Sequence, residues 1–263
     1  MKCHIVYTGV IMIDVVCLKH GEVYDWSWVD KLYNGAKRSF SEEINFHVFT
    51  DKIDESKPYN QILLPDLGNK AYEKNAGAWW YKMWLFSDEH PLQRNIIYFD
   101  LDNIFVGNCD FMLDCPEDMF GGILEWQMDI SNTSRYMLNS SIMKFTPEKY
   151  KYLWDRYNEE KEKIQSTYHS DQDYIAHKIE RSTVYPFDNK QKVLSYAYSM
   201  VKGGVKDMSI KYVSRAKGIA KIEYHRPDVD YILPETASIV ICNGYKYKPS
   251  LLTHLQFIKD YWR

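Results

Sequence analysis

The sequence predicts an α/β protein, one domain built on a mixed, mainly parallel sheet with helices on its faces. Three observations carry this expectation. Short apolar runs bounded by turns alternate with stretches of helical periodicity, which implies parallel strands joined by right-handed crossovers. The chain has 263 residues, 45% hydrophobic and 16% aromatic, enough to bury the core of one enzyme-sized unit, and it shows neither repeat nor low-complexity linker. The run Ile96 to Val106 carries Asp100 and Asp102 inside an otherwise apolar segment. Burying unpaired carboxylates costs several kcal/mol, so the pair calls for a cation.

The elements follow in order. Residues 1 to 11 are either an extra strand (Ile5 to Thr8) or an extension, and the sequence leaves both open. Ile13 to Leu18 is an apolar strand interrupted by Asp14, followed by a turn from Lys19 to Tyr24. Asp25 caps a helix whose apolar positions Val29, Leu32, Tyr33 and Ala36 keep helical spacing. Phe46 to Asp51 is the second strand, Gln61 to Pro65 the third and Ile96 to Val106 the fourth. Between the last two, Ala76 to Phe86 reads as a helix that is apolar nearly all round, with Lys82 among Trp79, Leu85 and Phe86. That lysine either snorkels to water or meets an anion.

Farther on, Gly121 to Leu124 and Ser141 to Phe145 read as short strands joined by a polar loop with Asp129, Arg135 and Asn139. Thr146-Pro147 opens a helix with Tyr150, Leu153, Trp154 and Tyr157 on its buried face and a solvated charged tail, Glu159 to Lys163. Ser170 to Asp173 opens another with a capping-box pattern, where the helix dipole alone favours acids. The basic segment Lys202 to Arg226 is read first as a solvated loop and second as an acceptor-facing lid hinged at Gly203-Gly204. An apolar strand, Ala237 to Cys242, a polar turn, Asn243 to Lys248, and the tail Leu251 to Trp262 close the chain.

In a strand, residues two apart share a side, so Asp100 and Asp102 are expected to point together while Leu101 packs the other way. Two hard oxygen donors at one point suit Mn²⁺ or Mg²⁺, ions that keep positions open for phosphates. Ligands of parallel sheets bind at the carboxyl ends of the strands, where this pair sits. Composition excludes other classes. A formal net charge of −3 argues against nucleic acid as a partner. Cys3, Cys17, Cys109, Cys115 and Cys242, odd in number and without a Cys-x-x-Cys pair, read as reduced core residues of a cytoplasmic protein. Asp14 breaks the N-terminal apolar stretch and no cleavage site follows, so neither a signal peptide nor a transmembrane segment is expected.

In order along the chain, Leu18-Lys19-His20-Gly21, Thr50-Asp51, Trp80-Tyr81-Lys82, Phe99-Asp100-Leu101-Asp102, Leu138-Asn139-Ser140-Ser141 and His169-Ser170-Asp171-Gln172-Asp173 resemble GT-A fold glycosyltransferases of the glycogenin-like, family 8 group and its bacterial and viral relatives. Each motif alone is weak, and six in the family's order are specific. The resemblance runs from about Met12 to Pro249. It implies a Rossmann-like GT-A domain over residues 1–263, with a nucleotide-binding half at 12–110, a donor-sugar and acceptor half at 111–250 and a tail at 251–263. It also implies transfer of a hexose from a nucleotide sugar, a UDP-sugar first, to a glycan or other hydroxyl acceptor, with Mn²⁺ or Mg²⁺ and with retention.

Position by position, Leu18, Lys19 and Tyr24 resemble the place of the uracil and ribose, and Thr50-Asp51 the second wall of that pocket. Asp100 and Asp102, with Leu101 between them, resemble the aspartates that hold Mn²⁺ against the diphosphate, and Lys82 the lysine reaching donor sugar and phosphates. Asn139 and Ser140 resemble donor-sugar contacts, and Asp171 and Gln172 the pair beside the anomeric carbon, Asp171 in a positioning role with nucleophile as the alternative. The family's His-x-Gly and Lys-Pro segment departs here to Asn243-Gly244-Tyr245-Lys246-Tyr247-Lys248-Pro249. The resemblance therefore puts Asn243 in the metal shell, with His254 as a substitute from the tail, and Gly244, Lys246 and Lys248 at the nucleotide. An amide oxygen in place of imidazole implies weaker metal binding and a swing toward Mg²⁺. Two other readings stay open: a haloacid-dehalogenase-like phosphohydrolase with Asp100 as nucleophile, and a non-catalytic sugar-nucleotide or glycan-binding module.

Overall fold

The computed structural model describes residues 12–68, 78–124, 138–187, 192–196, 213–214, 220–221, 233–242 and 247–263. The readings of residues 1 to 11, of the Asp129 and Arg135 loop and of Asn243, Gly244 and Lys246 lie outside them, as does most of Lys202 to Arg226.

Strand β1 (Ile13–Lys19) pairs in parallel with β2 (Ile44–Thr50) on one side and β4 (Ile96–Phe99) on the other. Beyond β2, β3 (Asn60–Leu63) extends the parallel ladder to the sheet edge. On the opposite side β7 (Leu138–Phe145) runs antiparallel to β4 and to β6 (Phe120–Leu124), and β8 (Val184–Phe187) closes the sheet parallel to β6. The order of the seven strands is β3-β2-β1-β4-β7-β6-β8. A second sheet places β12 (Ile239–Ile241) between β5 (Asn103–Phe105) and β9 (Val193–Ser195), while β10 (Val213–Ser214) and β11 (Ala220–Lys221) form a separate ladder.

Helix α1 (Trp26–Ser39) starts where the sequence predicts, with the Asp25 carboxylate accepting from Ser27 N–H at 2.9 Å. It covers one face of the large sheet, burying Val29, Leu32 and Ala36 against Val15, Cys17, Val48 and Phe99. Gly35 lets it approach β5 closely, since a Cβ there would meet the Phe105 ring at 2.7 Å. The other face packs against a 3₁₀ segment, Ala78–Phe86, and against α2 (Pro147–Glu159), α3 (Lys161–Thr167) and α4 (Asp171–Lys178). A third core joins the small sheet to the tail, through Leu252, Leu255 and Phe257 near the start of α5 (Gln256–Tyr261). Tail and α1 meet at an edge-on contact between Trp28 and Trp262, 5.0 Å between ring centres.

Three expectations change. The predicted strand Ile96 to Val106 is two strands in two different sheets, β4 and β5, hinged at a turn over Asp100-Leu101-Asp102 in which Asn103 N–H donates to Asp100 C=O at 3.2 Å. Strand alternation therefore does not aim the two carboxylates; the turn does. The aromatic stretch is a 3₁₀ helix over Ala78–Phe86, with residues 80–86 buried, as a segment apolar on every side requires. The charged run Glu159 to Lys163 faces solvent as expected, and the chain turns within it from α2 into α3, which buries Ile164. Strands β8 and β9 and the tail helix carry no sequence expectation here.

Candidate active site

The site forms where β4 ends. Asp100 N–H donates to Ser141 C=O at 2.9 Å, so the antiparallel β4–β7 pairing is carried one residue into the turn. Asn103 Nδ2 donates to the same carbonyl at 2.9 Å, and Cys242 N–H donates to Asp102 C=O at 3.1 Å. Both ends of the turn are thus tied to neighbouring strands, which fixes its two carboxylates.

Each carboxylate has its own lysine. Lys82 Nζ lies 3.0 Å from Asp100 Oδ1 and 3.2 Å from Asp171 Oδ2, and donates to Ser140 Oγ at 3.1 Å. The Lys82 side chain is only 7% exposed, which removes the snorkelling alternative. Burial pulls its ammonium down, but Asp100 and Asp171 outweigh that and hold it above the ordinary lysine value. Lys248 Nζ approaches Asp102 Oδ2 to 2.5 Å, reaches the Tyr24 hydroxyl and stands 5.4 Å from that ring's centre. Burial lowers the Lys248 ammonium as well, and Asp102 more than reverses this.

The acids respond unequally. Burial raises Asp100, while Lys82 and the Tyr98 hydroxyl, donating to Oδ1 at 2.6 Å, bring it below the usual carboxylate value. Burial keeps Asp102 above that value despite Lys248, and Asp100 adds to the push. Asp171, 5% exposed at the start of α4, is likewise held up by burial, against Lys82 and with Asp100 adding. Asp100, Asp102 and Asp171 against Lys82 and Lys248 leave one excess negative charge. Among the described residues no three His, Cys, Asp or Glu side chains group to hold an ion, so His254, exposed in the tail, does not join Asp100 and Asp102. The excess charge and two hard oxygen donors on one turn still fit a divalent ion, with further ligands drawn from phosphate and water.

Ser170 Oγ caps α4 by accepting from Asp173 N–H, as the sequence predicts, and α4 aims Asp171 and Gln172 at β7. Ser140 Oγ donates to Asp171 Oδ2 at 3.2 Å and Ser140 N–H to Gln172 Oε1 at 3.1 Å. Asn139 Oδ1 accepts from Ser141 N–H at 2.9 Å, making a local turn. Lys82, Asp100, Ser140, Asp171 and Gln172 are thus one hydrogen-bonded cluster, joined through the Asp100-Leu101-Asp102 turn to Asp102, Lys248 and Tyr24. Leu101 is buried in the core beneath the turn.

The expected base pocket lies at the end of β1. Lys19 Nζ donates to Gly21 C=O at 3.0 Å and sits 5.1 Å over the Trp26 ring. Asp51 Oδ2 accepts from Gly21 N–H at 3.0 Å, holding a turn that needs a left-handed glycine at φ +67°. Thr50 is buried, with its hydroxyl bonded to Lys52 C=O, while Leu18 is half-buried on the far face. His20 stacks on Tyr81 with 3.9 Å between ring centres, bridging this turn to the 3₁₀ segment beside Lys82. Sequence reasoning overlooks Tyr98 and its bond to Asp100. The signal was present, because Tyr98 stands two residues before Asp100 at the end of a strand.

No family model and no curated protein matches this chain. Solved structures do. An active-site mutant of LgtC superposes with a TM-score of 0.61 at 10% identity, over 95% of this chain and 96% of that one. The galactosyltransferase LgtC in complex with donor and acceptor sugar analogues gives 0.59 at 12% identity, over 93% and 96%. This chain has the GT-A fold. The glycosyltransferase GlyE of Streptococcus pneumoniae TIGR4 shares it, at a TM-score of 0.57 and 10% identity, over 90% of this chain and 56% of GlyE. The acidic turn ends β4, which lies on the opposite side of β1 from β2 and β3, so the strand order reverses between β1 and β4, a switch point of the kind where α/β folds bind ligands.

Proposed function

We propose that the protein is a metal-dependent glycosyltransferase that moves a hexose from a nucleotide sugar, a UDP-sugar, to a hydroxyl of a glycan or similar acceptor, with retention at the anomeric carbon. The observation that carries this reading is the Asp100-Leu101-Asp102 turn, at a ligand-binding strand end of a GT-A fold, with a lysine on each carboxylate. Asp100 and Asp102, joined by Asn243, would hold Mn²⁺ or Mg²⁺, which when bound supplies Lewis-acid stabilisation to the departing diphosphate.

The chain's own residues do the rest. Lys82 and Lys248 place positive charge where the leaving group becomes negative, and the largely buried Lys82 does so where little water screens it. Tyr98 holds Asp100 in one orientation. Asp171, pinned by Lys82 and Ser140, positions Lys82 and lends negative charge to a cation-like anomeric centre. Gln172, its carbonyl engaged by Ser140 N–H, keeps its amide hydrogens for sugar hydroxyls, and Asn139 shares that role. Leu18, Lys19, Tyr24, Thr50 and Asp51 form the base and ribose walls, and Gly244 and Lys246 lie along the phosphates.

A phosphohydrolase with Asp100 as nucleophile finds less support, because Asp100 Oδ1 is already engaged by Tyr98 and Lys82. The test is a turnover screen of UDP-, GDP- and CMP-sugars with Mn²⁺ and with Mg²⁺. UDP release from a UDP-sugar that needs the ion and disappears in Asp102→Ala is the expected result. Turnover in excess chelator refutes metal dependence, and intact UDP-sugar after long incubation despite UDP binding favours a non-catalytic module.

A further inference from the structure

We propose that Lys248 is an internal counter-cation that competes with the divalent ion for Asp102, and that ion and diphosphate therefore bind cooperatively through it. This rests on the reading of the site as a metal and diphosphate site, and adds how the two ligands are coupled.

The two lysines of the site are not equivalent. Lys82 is shared between two acids, Asp100 and Asp171, and also bonds Ser140. It keeps a buried anionic partner whatever happens at Asp100. Lys248 is held by one acid, Asp102, at 2.5 Å, and its other partner is the neutral Tyr24 hydroxyl. An ammonium and a divalent ion on one buried carboxylate repel each other strongly, since little water screens them. Loading the ion must therefore move the ammonium off Oδ2.

Where the ammonium goes decides the affinity. Its side chain is 20% exposed, and leaving Asp102 with no new anion strips a charged group of its partner. Ion alone thus binds against a penalty. Diphosphate alone draws Lys248 away and leaves Asp102, 9% exposed, without its counter-charge, so it too binds against a penalty. With both present, the ion takes Asp102 while the phosphate oxygens take Lys248, and neither penalty remains. Lysine suits this exchange better than arginine, being a compact charge on a flexible stem rather than a planar fork locked onto a carboxylate. The backbone stays put meanwhile, because Lys248 precedes Pro249 and adopts the extended conformation such a position favours, φ −65° and ψ 139°.

The coupling is reciprocal, so each ligand must raise the other's affinity by the same factor. The test is titration calorimetry on the full chain, with Mn²⁺ alone, UDP alone and Mn²⁺ at saturating UDP, for wild type, Lys248→Met and Lys248→Gln. Glutamine retains a hydrogen-bond donor for Asp102 without the charge, and circular dichroism establishes that each variant is folded. Direct ligation of phosphate to the ion contributes to the coupling in all three proteins, so the difference between them isolates the lysine. Both variants are expected to bind Mn²⁺ alone about tenfold more tightly than wild type, to bind UDP alone more weakly, and to lose about tenfold of the gain in Mn²⁺ affinity that UDP confers. Variants that bind Mn²⁺ alone no more tightly than wild type, with the UDP-induced gain unchanged, overturn the proposal while the metal and diphosphate site stands. Wild type that binds neither Mn²⁺ nor UDP removes the site reading itself, and the proposal with it.

Discussion

Replacing Lys82 with methionine, which keeps the stem and removes the charge, tests whether the buried cluster depends on that ammonium. The charge sits 3.0 Å from Asp100 and 3.2 Å from Asp171, with side-chain exposures of 7% for the lysine, 27% for Asp100 and 5% for Asp171. At an effective dielectric near 20 each contact is worth about 5 kcal/mol of attraction, most of which is offset by the cost of taking the charges out of water. Removing one partner loses the attraction but leaves two desolvated carboxylates, for which a loss of about 3–5 kcal/mol is the usual outcome. Water reaching Asp100 places the expected value toward the lower end.

The pH dependence carries a definite sign. Without the ammonium, burial holds the folded-state values of Asp171 and Asp100 above the ordinary 3.8, so the folded variant binds more protons than its unfolded chain. Its stability then rises as pH falls from 7 toward 3.8, and the deficit against wild type shrinks. Urea denaturation at pH 7, 6 and 5 reads both quantities, and adding Asp171→Asn should recover part of the loss at pH 7 by removing one unpaired charge. A deficit below about 1 kcal/mol at pH 7, or one that grows on acidification, refutes the reasoning.

Three further outcomes are expected. His90 accepts Leu92 N–H at Nδ1 and donates from Nε2 to Leu85 C=O, and burial holds it below the ordinary 6.5, so its contribution to stability is lost as pH falls below 6.5; an imidazole ¹⁵N titration with its midpoint at or above 6.5 would contradict this. Gly35→Ala gains helix propensity but drives a Cβ to 2.7 Å from the Phe105 ring, for a net loss of about 1–3 kcal/mol; a higher urea midpoint would show that α1 has room to move. Trp262→Ala removes the contact with Trp28 and the Lys31 ammonium 4.7 Å from its ring centre, so about 2 kcal/mol of destabilisation and faster proteolysis of residues 255–263 should follow, whereas an unchanged cleavage rate would mean the tail is held elsewhere.

What the sequence revealed of the fold was what local chemistry writes down. The Asp25 and Ser170 caps, the apolar strands β1, β2 and β4, and the proline-led start of α2 rest on signals within a few residues, and they stand where those signals put them. The split of Ile96 to Val106 was hidden because periodicity cannot tell one long buried strand from two short ones in different sheets. β12, which pairs with β5, lies more than 130 residues away, and that partnership has no local trace. The site shows the same division. Asp100, Asp102 and Lys82 announce themselves as charges in apolar company, whereas the Lys248 to Asp102 pair spans 146 residues and is visible only once the chain is folded.

The most direct test is a crystal soaked with manganese and UDP, examined at the manganese absorption edge. An anomalous peak bonded to the carboxylates of Asp100 and Asp102 and to both phosphates of UDP is the result expected. Bound UDP with no peak there, or both side chains turned away from the diphosphate, would contradict the account at its centre.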